Sequence, residues 1–138
     1  MKLIDTEYFK SWEITNSTKA KENNIDNTPT EDEIINNLNH TLQRLNTIRE
    51  GDGKPIIISS GYRCPELNEL VGGAKDSKHL TGLAVDLKWD KDLVEYIIDN
   101  CSFDKLIREK SGNVKWIHIQ FRKDISTERN LIYYITNI

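Results

Sequence analysis

The sequence predicts an α+β fold in which helices flank a small, mostly antiparallel sheet. Three observations indicate this class: one long segment with apolar residues at helical spacing, several short runs of β-branched and aromatic residues between turn-forming residues, and a chain of 138 residues. Hydrophobic residues make up 37% and charged residues 30%, which is too apolar for a disordered chain and too polar for a membrane protein. We therefore expect a single domain over residues 1–138.

The first predicted elements are an N-terminal arm and a long helix. Residues 1–29 are polar and interrupted, and we expect an arm that is anchored on the body by its aromatic side chains, Tyr8, Phe9 and Trp12. A capping box of Thr30 and Glu33 is predicted to begin the helix, each side chain accepting the other residue's backbone N–H. One helix face is apolar, with Ile34, Ile35, Leu38, Leu42, Leu45 and Ile48. Gly51 and Gly53 end the helix.

The rest of the chain alternates predicted strands with short helices. Pro65 to Leu70 can form one or two helical turns, and Asp90 is expected to cap a further helix. A turn at Ser111-Gly112-Asn113 separates two of the strands. The five predicted strands are Lys54 to Ser60, Leu83 to Trp89, Phe103 to Glu109, Lys115 to Phe121 and Leu131 to Thr136.

Charge and hydropathy exclude two classes of protein. The net charge is −3, whereas a nucleic-acid-binding protein normally concentrates positive charge. The one basic stretch, Arg122-Lys123 with Arg129, is either a phosphate site or a solvated strand end. The longest apolar run, Leu131 to Ile135, is far shorter than the roughly 20 residues of a membrane-spanning helix. We expect neither a nucleic-acid nor a membrane partner.

The two cysteines, Cys64 and Cys101, do not form a C-x-x-C pair. In a chain made in the cytosol, two free thiols are the simplest interpretation. A thiolate nucleophile at Cys64, paired with His79, is the alternative.

The three histidines lie in different contexts. His40 falls off the apolar stripe of the long helix and reads as a surface residue. His79 begins a glycine-containing segment that leads into the strand bearing Asp86. Its imidazole is either a ligand or a ring whose polar atoms are paired by a backbone hydrogen bond. Alternation along the strand places His118 on the same face as Trp116 and Gln120. Two imidazoles and one carboxylate suit a catalytic zinc ion, although their spacing alone does not identify such a site.

Three segments together carry a resemblance to a known family. They are Ser59-Ser60-Gly61-Tyr62-Arg63, the pattern Ser77-x-His79-x-x-Gly82-x-Ala84-x-Asp86, and Trp116-Ile117-His118. This combination resembles the M15 family of zinc peptidases, which act on D-alanyl peptides of bacterial cell walls, and is most similar to the small single-domain branch of phages and prophages. The resemblance extends from about Tyr8 to Phe121 and implies a Hedgehog/DD-peptidase-like zinc peptidase fold.

The resemblance implies roles for five residues. His79, Asp86 and His118 match the zinc ligands of the family, with one zinc ion per chain. Arg63 matches an arginine near the scissile carbonyl, where a guanidinium stabilises a developing oxyanion; a structural arginine in a turn is the alternative. Ser77 matches a residue that hydrogen-bonds the substrate, and a hydroxyl that only structures the loop is the alternative.

The general base is where this sequence departs from many members of the family. They have an acid three residues before the last histidine, and Lys115 stands at that position relative to His118. The small phage-type branch has instead a glutamate in a Phe-Asp-x-Leu-Ile-x-Glu pattern, which Phe103 to Glu109 matches. The resemblance therefore implies Glu109 as the base, with a surface glutamate at a strand end as the alternative.

Strand register decides whether Glu109 can reach the metal site. A two-residue turn at 111–112 would place Glu109 four residues, about 13 Å, from the rung of His118. A six-residue loop from Lys110 to Lys115 would place it opposite Trp116, one same-face step of about 6.6 Å from His118. We predict the longer loop.

The implied function is zinc-dependent hydrolysis of a D-amino-acid bond in the peptidoglycan stem peptide, of the D-Ala-D-Ala carboxypeptidase type. An L-Ala-D-Glu endopeptidase of the same family is the first alternative, and a non-catalytic, zinc-stabilised wall-binding or phage tail module is the second. We expect a monomer that is made in the bacterial cytoplasm without a signal peptide. It would act on the wall during phage lysis or wall processing after release, in the phage case through a holin.

Overall fold

The computed structural model describes residues 1–137, and its α+β architecture confirms the predicted fold class. Residue 138, the last of the predicted single domain, lies outside the described residues. The five strands are β1 (Ile58–Ser60), β2 (Ala84–Lys88), β3 (Lys105–Ser111), β4 (Val114–Gln120) and β5 (Leu131–Asn137). They form one sheet in the order β1-β2-β4-β3-β5, in which all neighbours are antiparallel except β3 and β5.

Within residues 1–137, four α-helices accompany the sheet: α1 (Thr18–Glu22), α2 (Asp32–Asp52), α3 (Pro65–Leu70) and α4 (Lys91–Asn100). The predicted capping box of α2 is wrong, because the cap is Glu31 and Glu33 is then the second helical residue instead of the third. Gly53 ends α2 in the left-handed region with φ 82°, which glycine adopts without steric cost. No helix within residues 1–137 is long and apolar enough to cross a membrane.

The core lies against one face of the sheet. The apolar stripe of α2 packs there with residues of α4, and the strands contribute Val85, Leu87, Leu106, Ile117 and Ile119, all 0% exposed. Because successive side chains of a strand point to opposite faces, Asp86 and His118 lie on the other face. The face of the sheet opposite the core therefore carries Asp86 and His118.

The first strand is shorter than predicted. The strand covers Ile58 to Ser60, with one further bond from the N–H of Lys88 to the carbonyl of Ile57, whereas the composition predicted a strand from Lys54. Pro55 has no N–H to donate to a ladder, and the register shifts between Ile58 and Ser60. The irregular strand leads directly into the segment that carries Arg63.

The N-terminal arm contributes two large apolar residues to the core. Phe9 and Ile14 are 2% and 0% exposed and belong to the core. Trp12, one of the three predicted anchors, is 60% exposed, so that part of the prediction is wrong. It lies in the 3₁₀ turn Ser11–Ile14, whose buried residue is Ile14. The guanidinium of Arg49 lies 4.4 Å from the ring centroid of the half-exposed Tyr8.

Asn27 joins the arm to the segment around Arg63. Its Nδ2 donates to the carbonyl oxygens of Thr15 at 3.0 Å and Tyr62 at 2.8 Å, and its Oδ1 accepts from the N–H of Cys64 at 2.7 Å. All of these bonds are made by a buried amide, which would be costly to leave unpaired. The backbone on both sides of Arg63 is therefore held by one side chain from the arm.

We expect Gly61→Ala to lower the free energy of unfolding by about 1–3 kcal/mol, the usual cost of overpacking. The N–H of Tyr62 donates to the carbonyl of Ile14 at 2.7 Å, and a Cβ on Gly61 would overlap that same carbonyl. Urea unfolding followed by circular dichroism measures the change. Ser60→Ala, a neighbouring change that removes an atom, is the control, and an unaltered midpoint for Gly61→Ala would contradict the packing described here.

Two cations of the basic stretch near the C-terminus share one carboxylate. Arg122 Nε lies 3.0 Å from Asp104 Oδ1, and Arg129 Nη2 lies 2.9 Å from Asp104 Oδ2. The hydrogen-bonded Arg129 holds the pKa of Asp104 below its usual range. Two of the three cations that suggested a phosphate site are thus paired with a carboxylate of the chain itself.

Candidate metal centre and active-site cleft

His79 lies in a 3₁₀ turn, Lys78–Leu80, that precedes β2. Its side chain is 2% exposed, and Nδ1 lies 2.8 Å from the carbonyl oxygen of Gly61. A carbonyl only accepts, so Nδ1 donates its proton and Nε2 keeps its lone pair. Both readings of this residue therefore hold in part: a backbone hydrogen bond satisfies one nitrogen and leaves the other available.

Asp86 and His118 meet because β2 and β4 pair in antiparallel register. The two residues are direct partners across the strands, and His118 Nδ1 lies 3.0 Å from Asp86 Oδ1. Burial alone would raise the pKa of Asp86, but the hydrogen bond from His118 is the largest opposing effect, and the pKa lies below its usual range. The carboxylate is therefore ionised and able to act as a ligand.

The second ring nitrogen of His118 is held by Gln120. Nε2 lies 2.8 Å from Gln120 Oε1, an amide oxygen that only accepts. Asp86 Oδ1, 3.0 Å from Nδ1, is also an acceptor, so both ring nitrogens donate when no cation is bound. With a metal ion at Nδ1, Nε2 keeps the proton that Gln120 accepts. The alternation of β4 already placed Gln120 on the face of His118, so the signal for this partner was present in the sequence.

The donor set fits a metal ion. One ligand atom each from His79, Asp86 and His118 lies within 4.8 Å of the others. His79 Nε2 is buried without a hydrogen-bond partner and sits 3.3 Å from Asp86 Oδ1, so that a lone pair faces a carboxylate. A cation between them removes this conflict. Two nitrogens and one oxygen from three residues form the set typical of catalytic zinc.

Arg63 borders the same cleft and is held by a residue that the sequence did not single out. Its Nη2 lies 3.9 Å from Asp86 Oδ2, and its Nη1 donates to Asn68 Oδ1 at 3.0 Å. Asn68 in turn donates to the carbonyl of Ala74 at 2.9 Å. A Cβ on Gly73 would overlap both Asn68 Oδ1 and Arg63 Nη1, so glycine is needed for this close approach. No sequence pattern linked Asn68 to Arg63.

Glu109 pairs with Trp116, which confirms the predicted register but not the predicted loop. The ladder of β3 and β4 continues to Ser111 and Val114, so the connection is a two-residue turn at residues 112–113 and not a six-residue loop. Gly112 adopts φ 58°, the positive value that a type II′ hairpin turn needs at its first central position. Glu109 is half-buried, and its carboxylate has no ion pair or hydrogen bond within residues 1–137.

Lys115, at the position where many relatives have an acid, points away from the metal-binding residues. Its odd spacing from His118 puts it on the other face of β4, where Nζ lies 5.4 Å from the ring centroid of Trp89. The cleft of about 370 Å³ that contains His79, Asp86 and His118 is lined by Glu109 and not by Lys115.

Of the remaining candidate residues, one lines the cleft and three lie outside it. Ser77 lines the cleft, and its hydroxyl oxygen accepts from the N–H of His79 at 3.2 Å. His40 lies outside the cleft and bonds the carbonyl of Arg122 at 3.0 Å. Cys64 and Cys101 are free thiols within the described residues, and neither lines the cleft.

Comparison with known families agrees with this geometry. The family model described as peptidase M15 matches residues 7–120, a span that includes every residue of the cleft. No curated protein matches the chain. The family match covers most of the sequence, and its zinc enzymes require the kind of donor set that the fold brings together. The chain is therefore a zinc metallopeptidase that belongs to the M15 family.

Proposed function

We propose that this peptidase hydrolyses a D-amino-acid peptide bond in the stem peptide of peptidoglycan, as a D-Ala-D-Ala carboxypeptidase. One observation carries the proposal: a single cleft contains the metal-binding set, the uncommitted carboxylate of Glu109 and the guanidinium of Arg63. These are a metal site, a proton acceptor and a hydrogen-bond donor to the developing oxyanion, which peptide hydrolysis by a metallopeptidase requires. The M15 family implies a peptidoglycan-type substrate.

In this proposal His79, Asp86 and His118 hold the zinc ion, His79 through Nε2 and His118 through Nδ1. When bound, zinc is a Lewis acid that lowers the pKa of water and polarises a carbonyl oxygen. Gly61 and Gln120 fix the protonated nitrogens of the two rings, as the outer partners of metal-binding histidines commonly do.

Glu109 acts as the general base and then as the general acid. Its carboxylate accepts a proton from the attacking water and returns it to the amine of the leaving residue. The same-face step of about 6.6 Å between the rungs of Trp116 and His118 leaves room for a water molecule between Glu109 and the metal-binding set. The absence of a hydrogen-bond partner for Glu109 within residues 1–137 supports this role, because a committed carboxylate accepts protons less readily.

Arg63 and Ser77 orient and stabilise the substrate. Arg63 donates to the substrate carbonyl oxygen as negative charge develops there, and Asn68 keeps the guanidinium in place. The oxygen of Ser77 accepts from the N–H of His79, so its hydroxyl proton is free to donate to a substrate carbonyl.

A second candidate function is cleavage within the stem peptide, as by an L-Ala-D-Glu endopeptidase. A further depression, lined in part by residues 16–19 and Ser59, shares Arg63, Glu109 and Trp116 with the metal cleft. The cleft therefore continues as a groove, and an open groove is what an endopeptidase needs.

Mass spectrometry of digested muropeptides tests the proposal. Loss of a single alanine from the stem is the expected result, whereas release of the whole stem peptide would show the endopeptidase instead. Intact muropeptides after digestion with zinc-loaded protein would contradict both. The setting we propose is phage lysis or bacterial wall processing by a monomer that reaches the wall after release, in the phage case through a holin; this part rests on the resemblance to the phage-type branch.

We expect Gln120→Leu to weaken zinc binding by roughly 10-fold to 100-fold, the usual effect of losing the outer partner of a metal-binding histidine. The change removes the acceptor of His118 Nε2–H, so the ring is no longer restricted to one tautomer. Competition with a chromophoric chelator measures the affinity, and ¹⁵N NMR of the imidazoles reports the tautomer.

Gln43→Leu, at an exposed position of α2, is the matched control and should leave zinc affinity and tautomer unchanged. Equal zinc affinity for Gln120→Leu and this control would show that Gln120 does not position His118.

A further inference from the structure

Two lysines that the sequence did not single out line the metal cleft. Lys105 lies on β3 opposite Gln120, and Lys78 lies in the turn that carries His79. They are 27 positions apart in the sequence (105 minus 78), and only the fold brings both to the lining of this cleft. Neither lysine forms an ion pair within residues 1–137, whereas Lys10 and Lys54 do.

Strand register fixes the place of Lys105 relative to the metal-binding set. The residues of β3 on the cleft face are Lys105, Ile107 and Glu109, and Ile107 is the partner of His118. Lys105 and Glu109 therefore flank the rung of His118 on opposite sides, each one same-face step of about 6.6 Å away. Two such steps separate Lys105 from Glu109 along the strand, and the two side chains form no ion pair within residues 1–137.

The other carboxylates of the cleft also leave the two ammonium groups free. Asp86 is engaged by the imidazoles and lies near Arg63. Asp76 lines the cleft but is exposed, and it forms no ion pair with Lys78 or Lys105. Two cations without partners in a concave surface attract an anion, because the surrounding protein focuses their field into the cleft. Lys105 is also half-buried, which makes a partner for its charge more favourable.

We propose that Lys78 and Lys105 form a subsite for the substrate carboxylate adjoining the scissile bond, the C-terminal carboxylate of the leaving residue. The inference rests on the proposed function and deepens it, since it names the feature of the substrate that selects carboxypeptidase over endopeptidase cleavage. Ammonium groups on flexible stems suit this task, because they contact a carboxylate as point charges and tolerate variation in its orientation. The peptide on the other side of the scissile bond then occupies the groove beyond Trp116.

Paired peptides test the subsite. The probes are an N-acetylated L-Lys-D-Ala-D-Ala peptide with a free C-terminal carboxylate and the same peptide as its C-terminal amide. The zinc-loaded wild-type protein is expected to prefer the free acid by about tenfold or more in kcat/KM, the range of one hydrogen bond to a charged group. The preference should fall toward one in Lys105→Met and Lys78→Met through a higher KM for the acid, with little change for the amide.

Lys110→Met is the matched control, because Lys110 lies on the same strand but on the opposite face and does not line the cleft. A second readout does not need turnover: calorimetric binding of the free acid to zinc-loaded Glu109→Gln should weaken about tenfold when Lys105→Met is added, for the same reason.

The outcomes separate the inference from the function on which it rests. Equal cleavage of acid and amide by the wild-type protein, unaltered by the lysine substitutions, would overturn the subsite and leave the peptidase proposal standing. Failure to cleave either peptide would count against the carboxypeptidase proposal, and the calorimetric comparison would still decide the subsite: equal binding with and without Lys105 overturns it, and weaker binding supports it.

Discussion

Glu109→Gln is expected to lower kcat by roughly 10²-fold to 10⁴-fold, the range of a lost general acid–base group. Glutamine keeps the size and polarity of the side chain but cannot accept a proton at neutral pH. KM and zinc content should change little, since Glu109 is not one of the three residues of the metal-binding set. Steady-state kinetics on a D-Ala-D-Ala peptide, together with metal analysis of the same sample, measure both effects.

Glu50→Gln, on the exposed surface near the end of α2, is the control for a glutamate-to-glutamine change. Undiminished cleavage by Glu109→Gln would remove Glu109 from the mechanism. The cleft would then lack a proton acceptor at both expected positions, because Lys115 stands at the common acid position and faces Trp89.

Arg63→Met is expected to reduce kcat by roughly 10²-fold to 10³-fold, as the loss of one oxyanion donor does. Methionine retains most of the apolar stem, while the charge and the bond to Asn68 are lost. The effect should fall mainly on kcat, because charge on the carbonyl oxygen develops only as the reaction proceeds. Measured kcat and KM, with zinc content as a check on the neighbouring Asp86, test this.

Arg63→Lys gives a sharper comparison, since it keeps the charge but not the planar fork that reaches both Asn68 and the cleft. We expect only a small recovery of kcat over Arg63→Met. A raised KM with an unchanged kcat in Arg63→Met would instead assign Arg63 to binding of the substrate in its ground state.

Much of the fold follows from local pattern. The apolar stripe of α2 predicts its buried face, and alternation along β4 places Trp116, His118 and Gln120 together. Pairing beyond neighbouring strands does not follow, because β5 lies parallel to β3 at the edge of the sheet and no local signal specifies that partner. The hairpin shows the same limit: two loops of different length give Glu109 the same partner, so the correct register was compatible with an incorrect loop.

The metal-binding set is a case in which spacing alone is uninformative. Asp86 and His118 are 32 positions apart and become neighbours only through the register of β2 with β4. The residue types and the family pattern identified them, whereas Asn68 and the two cleft lysines have no sequence signature. The role of Asn68 depends on its contact with Arg63, and those of Lys78 and Lys105 depend on their place in the lining of the cleft.

Zinc content tests the central claim most directly. Protein purified without chelators is expected to contain about one zinc ion per chain, and Asp86→Asn or His79→Ala should lose most of it. Zinc well below one ion per chain in the wild-type protein, or undiminished zinc in those variants, would contradict the assignment of His79, Asp86 and His118 as the metal centre.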